Sequence, residues 1–480
     1  MWSLKKEKGV PVYVSIIELI LSYIKNGDLL PGERLPSERK LAAYFQVNRS
    51  TVVHALDELV ALGWIVRKQG SGTIVNEGKW GISTTPRTDW RRYLEQNVFA
   101  KVDPYTEQIE RLIKQSDHDV LDLYTGELPL DLIPSFSFPP LTWKHFLEEE
   151  QQDDLGYYPL RQAISNETEK EYGFSLSPES LLITSGAQQA LFLILQVLLQ
   201  SGDSVAIEDP SFLYALPIFQ AAGIRLYGVN MDQEGIDLLS LEKVIRQHRV
   251  KMVMVNPSFQ NPTGKTMSMK RRKALVELCQ NYQIPILEDD VFAKLNFVPS
   301  DKIQPLKKLD PENVLYIGSL SKILGSTTKI GWLSAPTSVN QQLAEARKMM
   351  DFSLSIFPQL LANLALTDEN FPTKVLSLKQ KLEQRGKAVF QLLDQLPEWE
   401  VTMPEGGFYI WAKWKQGKLE QKDWAIFLQE RLLIAPSFFF SENQDSIRIN
   451  FSRVDETNFP LFETKLREIT KKMSMDSNRL

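Results

Sequence analysis

Residues 314–322 read Val-Leu-Tyr-Ile-Gly-Ser-Leu-Ser-Lys. The run from Val314 to Ile317 has no charged residue to face water, which describes a strand covered on both sides, and Ser319 ends it. Lys322 follows directly, beyond the carboxyl end of that strand. Working outward, similar runs predict strands at 181–184, 204–208, 224–229, 250–256, 285–289 and 329–335. Helical patterns separate most of them, among them 239–248 and 270–281. Strands alternating with longer helices imply an α/β domain with a mostly parallel, seven-stranded sheet covered on both faces. Ligands on such sheets bind beyond the carboxyl ends of the strands.

Three groups fall at those ends. The first strand runs into Ser185-Gly186-Ala187-Gln188, a glycine at a strand-to-helix turn whose free amides can cradle a phosphate. Another ends in Glu288-Asp289-Asp290, where a carboxylate can pair with a protonated ring nitrogen. Ser319-Leu320-Ser321-Lys322 brings an amine able to form a Schiff base with an aldehyde. Cradle, carboxylate and amine on one rim are the set that pyridoxal phosphate requires. Taken singly, each has an ordinary reading: Lys322 as a surface lysine, Asp289 as a helix cap, Phe212 as a core residue.

The first 76 residues have a different organisation. Ile16, Leu19, Ile20, Tyr23 and Ile24 mark an amphipathic helix closed by Asn26-Gly27. Leu29-Leu30-Pro31-Gly32 turns the chain, and Ser37 caps a second helix through Phe45. Asn48 caps a third, with Val52, Ala55, Leu56, Leu59 and Leu62 on one face and Gly63 at its end. Alternating segments 64–69 and 73–76, joined at Gly70-Ser71-Gly72, predict a β-hairpin. Three helices and a hairpin make a winged helix-turn-helix. Arg49, Ser50 and Thr51 occupy the third helix's first turn, which reaches base edges when such a helix enters the major groove of double-stranded DNA. Arg49 can contact guanine bidentately, while Arg39 and the tip at Gly70 and Ser71 are placed for backbone contacts. The same pattern also fits a small protein-binding module with solvated polar residues.

Charge follows this division. The 480 residues carry 55 Lys and Arg against 60 Asp and Glu, a formal net charge of −5 that on average argues against nucleic acid. Residues 1–76 alone hold ten basic and seven acidic residues, a balance of +3, which leaves −8 for the remainder. The length predicts more than one domain, and 43% hydrophobic with 24% charged residues excludes a disordered chain. With Cys279 as the single cysteine and no close pair among four histidines, neither a disulfide nor a metal site is expected, and a reducing compartment is favoured. The N-terminus shows no signal-like apolar stretch, and the most apolar run, 191–199, is too short to span a bilayer. A cytoplasmic protein without membrane attachment is therefore expected. Residues 77–117, with Gly78, Gly81, Pro86 and Pro104, read as an interdomain linker containing one helix near 105–115.

Across 10–76, the runs Gly-Asp-Leu-Leu-Pro-Gly-Glu-Arg-Leu-Pro-Ser-Glu-Arg-Lys-Leu-Ala, Val-Asn-Arg-Ser-Thr-Val and Gly-Ser-Gly-Thr resemble the DNA-binding domain of the GntR family of bacterial transcription factors. The resemblance implies DNA contacts from Arg39, Arg49, Ser50, Thr51 and Gly70, with Ser37 and Ser71 beside them. Val53 stands where relatives often carry a further basic residue. From about 118 to 470, a second set of motifs occurs in the order seen in fold-type I aminotransferases: Ser-Gly-Ala-Gln-Gln-Ala, Glu-Asp-Pro-Ser-Phe, Asn-Pro-Ser-Phe-Gln-Asn-Pro-Thr-Gly, Glu-Asp-Asp, Gly-Ser-Leu-Ser-Lys, Pro-Glu-Gly-Gly-Phe-Tyr-Ile-Trp and Ser-Ile-Arg-Ile-Asn-Phe-Ser. This resemblance implies Lys322 as the Schiff-base lysine, Asp289 at the pyridine nitrogen, Asn261 at the ring hydroxyl and Phe212 stacked on the ring. It further implies Ala187, Gln188 and Ser319 at the phosphate, Tyr157 at the neighbouring subunit's phosphate and Arg448 on an amino-acid carboxylate.

The chain departs from that pattern in four places. Lys329 replaces an arginine, keeping a charge at the phosphate without the planar fork. Val291 and Phe292 stand where a tyrosine is usual, Ser326 and Thr327 replace a proline and a glycine, and the segment 155–161 is short. A GntR-like module at 10–76 joined through 77–117 to an aminotransferase-like domain at 118–475 resembles the MocR subfamily of bacterial regulators. That implies a homodimer that binds a DNA operator and, through pyridoxal 5'-phosphate, senses an amine, an amino acid or the cofactor itself. The alternative is a catalytically active aminotransferase with an accessory DNA-binding domain. Intact Lys322, Asp289 and Arg448 favour it; Val291, Phe292 and Lys329 count against it.

Overall fold

The computed structural model describes residues 11–68, 72–76, 103–115, 119–149, 153–298, 303–351 and 354–477, with Trp2, Leu4 and Phe99. Two compact units divide between Val102 and Asp103. In the first, helices α1 (Val12–Lys25), α2 (Glu38–Phe45) and α3 (Arg49–Ala61) precede strands β1 (Ile65–Lys68) and β2 (Gly72–Val75), which pair antiparallel. Ile16, Ile20 and Ile24 of α1 close with Leu41 and Phe45 of α2 and with Val52, Leu56 and Leu59 of α3 into one core, as their helical spacing requires. The Ser37 side chain accepts the Lys40 N–H and caps α2. Asn48 stands at the N-cap of α3, but its side chain makes no capping bond. The expected cap is replaced by its backbone carbonyl, which accepts the Thr51 N–H at 3.0 Å.

In the second unit, β3 (Leu181–Thr184), β4 (Ser204–Asp209), β5 (Arg225–Asn230), β6 (Met252–Val255), β7 (Ile286–Asp289), β8 (Val314–Ser319) and β9 (Gly331–Ser334) form one sheet in the order β3-β9-β8-β7-β6-β4-β5. All seven expected strands are present. Their pairings are parallel except those of β9, which runs against both neighbours. Strand residues alternate between two cores. Val205 and Ile207 face the one shared with helix Ala187–Leu198, and Ala206 faces the one shared with helices Leu238–His248 and Met269–Tyr282. The segments expected at 250–256 and 329–335 contribute shorter strands, because their ends leave the sheet as loops.

A smaller antiparallel sheet orders Trp399–Glu400, Tyr409–Trp414, Ser446–Asn450 and Ala435–Pro436. The helix expected near 105–115 is α4 (Pro104–Lys114), started by Asp103, whose carboxylate accepts the Tyr105 N–H at 2.8 Å, and by Pro104 at its first position. Its Tyr105 and Ile109 are buried in the core of the large unit. The linker expected over 77–117 therefore stops short of this helix, whose apolar face is claimed by that core. Most of 77–102 lies outside the described residues. Among the described residues no helix is long and apolar enough to cross a membrane.

The two cores predict separable unfolding. Leu56, fully buried, is expected on truncation to alanine to cost about 2–5 kcal/mol. Calorimetry of Leu56→Ala should show the small unit melting earlier while the large unit's transition is unchanged; a single shifted transition would contradict independent cores.

Candidate functional site

Gly331 pairs with Thr184 on one side and Ser319 on the other, so the start of β9 meets the ends of β3 and β8 on one rim. The rim admits no side chain at 331: a Cβ there would stand 2.6 Å from the Gly186 carbonyl carbon and 2.8 Å from the Ala187 nitrogen. Gly186 itself has φ 83 and caps helix Ala187–Leu198, a conformation that favours glycine. The first-turn amides behind it are those that an anion meets at a helix N-terminus. The Gly186 turn was legible in the sequence. Gly331 was not singled out, although a glycine opening a strand is a signal of close backbone approach.

Asp289 ends β7, half-buried. Burial pushes its carboxyl up to about 7; the Val291 N–H and the Lys322 ammonium work against that shift, and the neighbouring Asp290 adds to it. The backbone carbonyl of Asp289 accepts from Asn256 Nδ2 at 2.6 Å, while Asn256 Oδ1 accepts the Asn261 N–H at 2.7 Å and the Asn256 N–H donates to Glu208 at 3.0 Å. Asn256, not foreseen, thus joins three strand ends. The Phe212 N–H donates to the Asn261 carbonyl at 3.1 Å. Phe212 lines one pocket with Ala187, Gln188, Asn256 and Asp289.

Lys322 lies in the short helix Ser321–Leu324. Its Nζ donates to the Gly126 carbonyl at 2.8 Å and stands 5.6 and 5.5 Å from the ring centres of Phe292 and Phe408. Ser319 Oγ donates to the Ile330 carbonyl at 3.0 Å and accepts the Ser321 N–H at 3.1 Å. Arg448, on the smaller sheet, is buried between Tyr409 and Phe440, its guanidinium carbon 4.3 and 4.8 Å from their ring centres. It donates to Asn261 Oδ1 at 3.1 Å and to the Tyr124 carbonyl at 2.9 Å, and its Nε has no partner.

These contacts bring Lys322, Asp289, Asn261, Phe212, Ala187, Gln188, Ser319 and Arg448 to one rim. Tyr157 is not among them: it is buried and its N–H donates to Gln359 at 2.8 Å. Lys329 is exposed, with φ 40, in the turn before β9. Phe292 is buried edge-on against Phe408 and Tyr409, with centroids 5.3 and 5.7 Å apart, and presents no hydroxyl.

In the small unit Arg39, Arg49 and Ser50 are exposed and Thr51 is half-buried. The Arg49 guanidinium donates twice to Glu38, at 3.1 and 2.8 Å. Arg67 bridges Glu38 and Asp57 at 3.5 and 2.7 Å. Glu38 as the partner of Arg49 was missed because the two belong to different helices. Gly70 and Ser71 lie outside the described residues.

The fold and these two sites define a class: a winged-helix DNA-binding module joined to an aminotransferase-like domain. The family model of bacterial regulatory proteins of the gntR family matches residues 12–75, and that of aminotransferase class I and II matches 139–461. The chain is 36% identical over 419 residues to the uncharacterized HTH-type transcriptional regulator YdfD of Bacillus subtilis (strain 168), covering 85% of this chain and 86% of that one. It is 27% identical to the HTH-type transcriptional regulator NorG of Staphylococcus aureus (strain USA300), covering 92% and 100%. Among solved structures, the kynurenine aminotransferase of Pyrococcus horikoshii superposes with a TM-score of 0.71 at 26% identity, over 80% of this chain and 98% of that one. The chain belongs to the HTH-type transcriptional regulators that carry an aminotransferase class I and II domain, the MocR subfamily of the GntR regulators.

The close approach at Gly331 gives a direct test of the rim. Gly331→Ala must displace the Gly186 turn, so the large unit is expected to lose about 1–3 kcal/mol of stability, read as an earlier calorimetric transition. An unshifted transition would show that the turn gives way freely.

Proposed function

We propose that this regulator binds pyridoxal 5'-phosphate on the rim of its large domain and senses there an amine, an amino acid or the cofactor itself. The observation that carries the reading is the convergence of an amine, a half-buried acid and a glycine-bounded helix N-terminus on the ends of β8, β7 and β3. The residues fit the group chemically: the turn that a Cβ at 331 would fill suits a phosphate, and an acid held near 7 by burial gains its charge back beside a protonated pyridine nitrogen. The first-turn amides at Ala187 and Gln188, together with Ser319, would hold the phosphate, with Lys329 adding a point charge. Asp289 would hold the ring nitrogen, Asn261 the ring hydroxyl and Phe212 the ring face.

When bound, the cofactor supplies an aldehyde that condenses with primary amines and a ring that draws electrons from the new bond. Lys322 presents the chain's own amine beside the paired rings of Phe292 and Phe408. Arg448 offers an effector carboxylate a planar pair of donors once it yields Asn261 or Tyr124. Phe292, without a hydroxyl, leaves the ring oxygen to Asn261 alone, which suits retention of a ligand better than rapid turnover. A homodimer is part of the reading: it places Tyr157 near the partner's phosphate and pairs two DNA modules on half-sites. In each module Ser37, Arg39, Arg49, Ser50, Thr51, Gly70 and Ser71 would face DNA. The second reading, an active aminotransferase, is favoured by the intact Lys322, Asp289 and Arg448; robust multiple turnover with a panel of amino donors and 2-oxo acids would displace sensing as the main role.

Three tests follow from the charged groups. Protein titrated with pyridoxal phosphate should gain visible absorbance that Lys322→Ala abolishes. The wild-type affinity should weaken as the pH is lowered through about 7, because Asp289 takes up a proton and loses the charge that faces the ring nitrogen. Equal affinities at pH 6 and pH 8, or the same slope in Asp289→Asn, would refute that role. Arg49→Ala should weaken specific binding to the gene's own upstream DNA by about 1–3 kcal/mol. Unaltered binding in fluorescence anisotropy would remove Arg49 from the recognition surface.

A further inference from the structure

Consecutive carbonyls of the segment 124–127 are each held by a side chain from the rim or the smaller sheet. Tyr124 O accepts from Arg448 at 2.9 Å, Thr125 O from Asn450 Nδ2 at 2.7 Å and Gly126 O from Lys322 Nζ at 2.8 Å. Glu127 O accepts from Asn450 at 3.1 Å and Arg453 at 3.4 Å. A loop outside regular structure must satisfy its carbonyls through such donors, so they fix its path. Lys322 and Arg448 are both residues that the proposed function gives to ligands.

The segment leads back along the chain. Strand Leu121–Asp122 pairs with Leu432–Leu433, and Asp122 Oδ1 accepts the N–H groups of Tyr124 and Thr125 at 3.1 and 3.0 Å. A second route runs through rings. Arg448 lies on Phe440, the Phe440 and Phe439 centroids are 6.4 Å apart, and Phe439 stands 6.2 Å from Tyr124 and 6.4 Å from Tyr105. Tyr105, whose hydroxyl donates to the Ile434 carbonyl at 3.3 Å, sits in the first turn of α4. Both routes therefore end near residue 103, where the large unit begins and the chain from the DNA module enters it.

We propose that the segment 121–127 and helix α4 form the read-out of the ligand site, with Tyr105 and Phe439 as positioning residues. The proposal rests on the cofactor reading above. Condensation of the Lys322 ammonium with an aldehyde forms a C=N bond to Nζ: the aldehyde oxygen leaves as water with two of the Nζ hydrogens, the third stays with the charge on the planar iminium nitrogen, and the ammonium that donates to Gly126 is consumed. A carboxylate on Arg448 competes in the same way with the Tyr124 carbonyl. Each event removes a donor from the segment, loosens it, and shifts α4 through the ring contacts at Tyr105. Ligand and DNA are then linked because the site binds differently to the held and the released segment.

The test uses the full-length protein with pyridoxal phosphate as the probe. Three quantities are followed: visible absorbance, hydrogen exchange of peptides covering 104–127, and affinity for the gene's own upstream DNA. Cofactor should speed exchange in 121–127 and change DNA affinity by about fivefold or more. Tyr105→Phe and Phe439→Leu should keep the absorbance and the cofactor-free DNA affinity, yet reduce the cofactor-linked change to less than about twofold. If no absorbance develops, the cofactor reading itself fails. If absorbance develops while exchange over 104–127 or DNA affinity stays the same, or if both variants retain the full DNA response, the read-out proposal is overturned.

Discussion

The guanidinium of Arg272 has no exposure to solvent, and the rim depends on it. It donates to the carbonyls of Pro257, Met267 and Gln304 at 2.7, 2.9 and 3.2 Å and to Ser258 Oγ at 3.0 Å, and it faces Glu288 at 3.8 Å. A buried cation costs several kcal/mol unless its donors are used, and here they are spent on both ends of one loop. That loop, from Asn256 to Met267, delivers Asn256 and Asn261 to the site. Glu208, Glu288 and Asp290 stand in the same field, each with its carboxyl pushed up by burial. The Arg272 cation works against that shift in all three.

The adjacent Asp289 and Asp290 show how position on a strand end decides chemistry. Successive side chains leave a strand on opposite faces. Asp290 turns inward, where Tyr316 and Tyr172 donate to it at 3.0 and 3.4 Å. Asp289 receives a single backbone N–H, at 3.3 Å, and faces the pocket with Phe212. Identical groups a residue apart become a structural acid and a pocket-facing one. The tyrosines belong to β8 and to helix Tyr158–Tyr172, so the assignment is made by tertiary packing.

Much of the fold was legible because its signals are local. Apolar runs marked all seven strands, and helical spacing marked the three helices of the small unit. That the Gly186 turn, Asp289 and Lys322 lie at strand ends on one rim was legible because each directly follows or ends an apolar run. What escaped depends on partners distant in the chain. Tyr124 and Arg448 meet across 324 positions, and nothing near Tyr124 announces an arginine. Gly331 is necessary only because Gly186 passes beside it. Helix α4 was readable as a helix, but not as part of the large core, since an amphipathic face does not say which core will receive it. Asn48 stands at the N-cap as its residue type suggested, and only the side-chain bond is missing.

The reversed strand β9 has an evolutionary consequence. The excursion that leaves the sheet at Ser319 returns at Gly331, its paired neighbour. Within it lie Ser321, Lys322, Ser326, whose hydroxyl donates to Glu127 at 2.8 Å, and Lys329. With both ends pinned by one ladder, the excursion can change content or length without disturbing the strands that frame it. It is a cassette in the geometric sense: Lys322, Ser326 and Lys329 can all be replaced together while the sheet stays as it was.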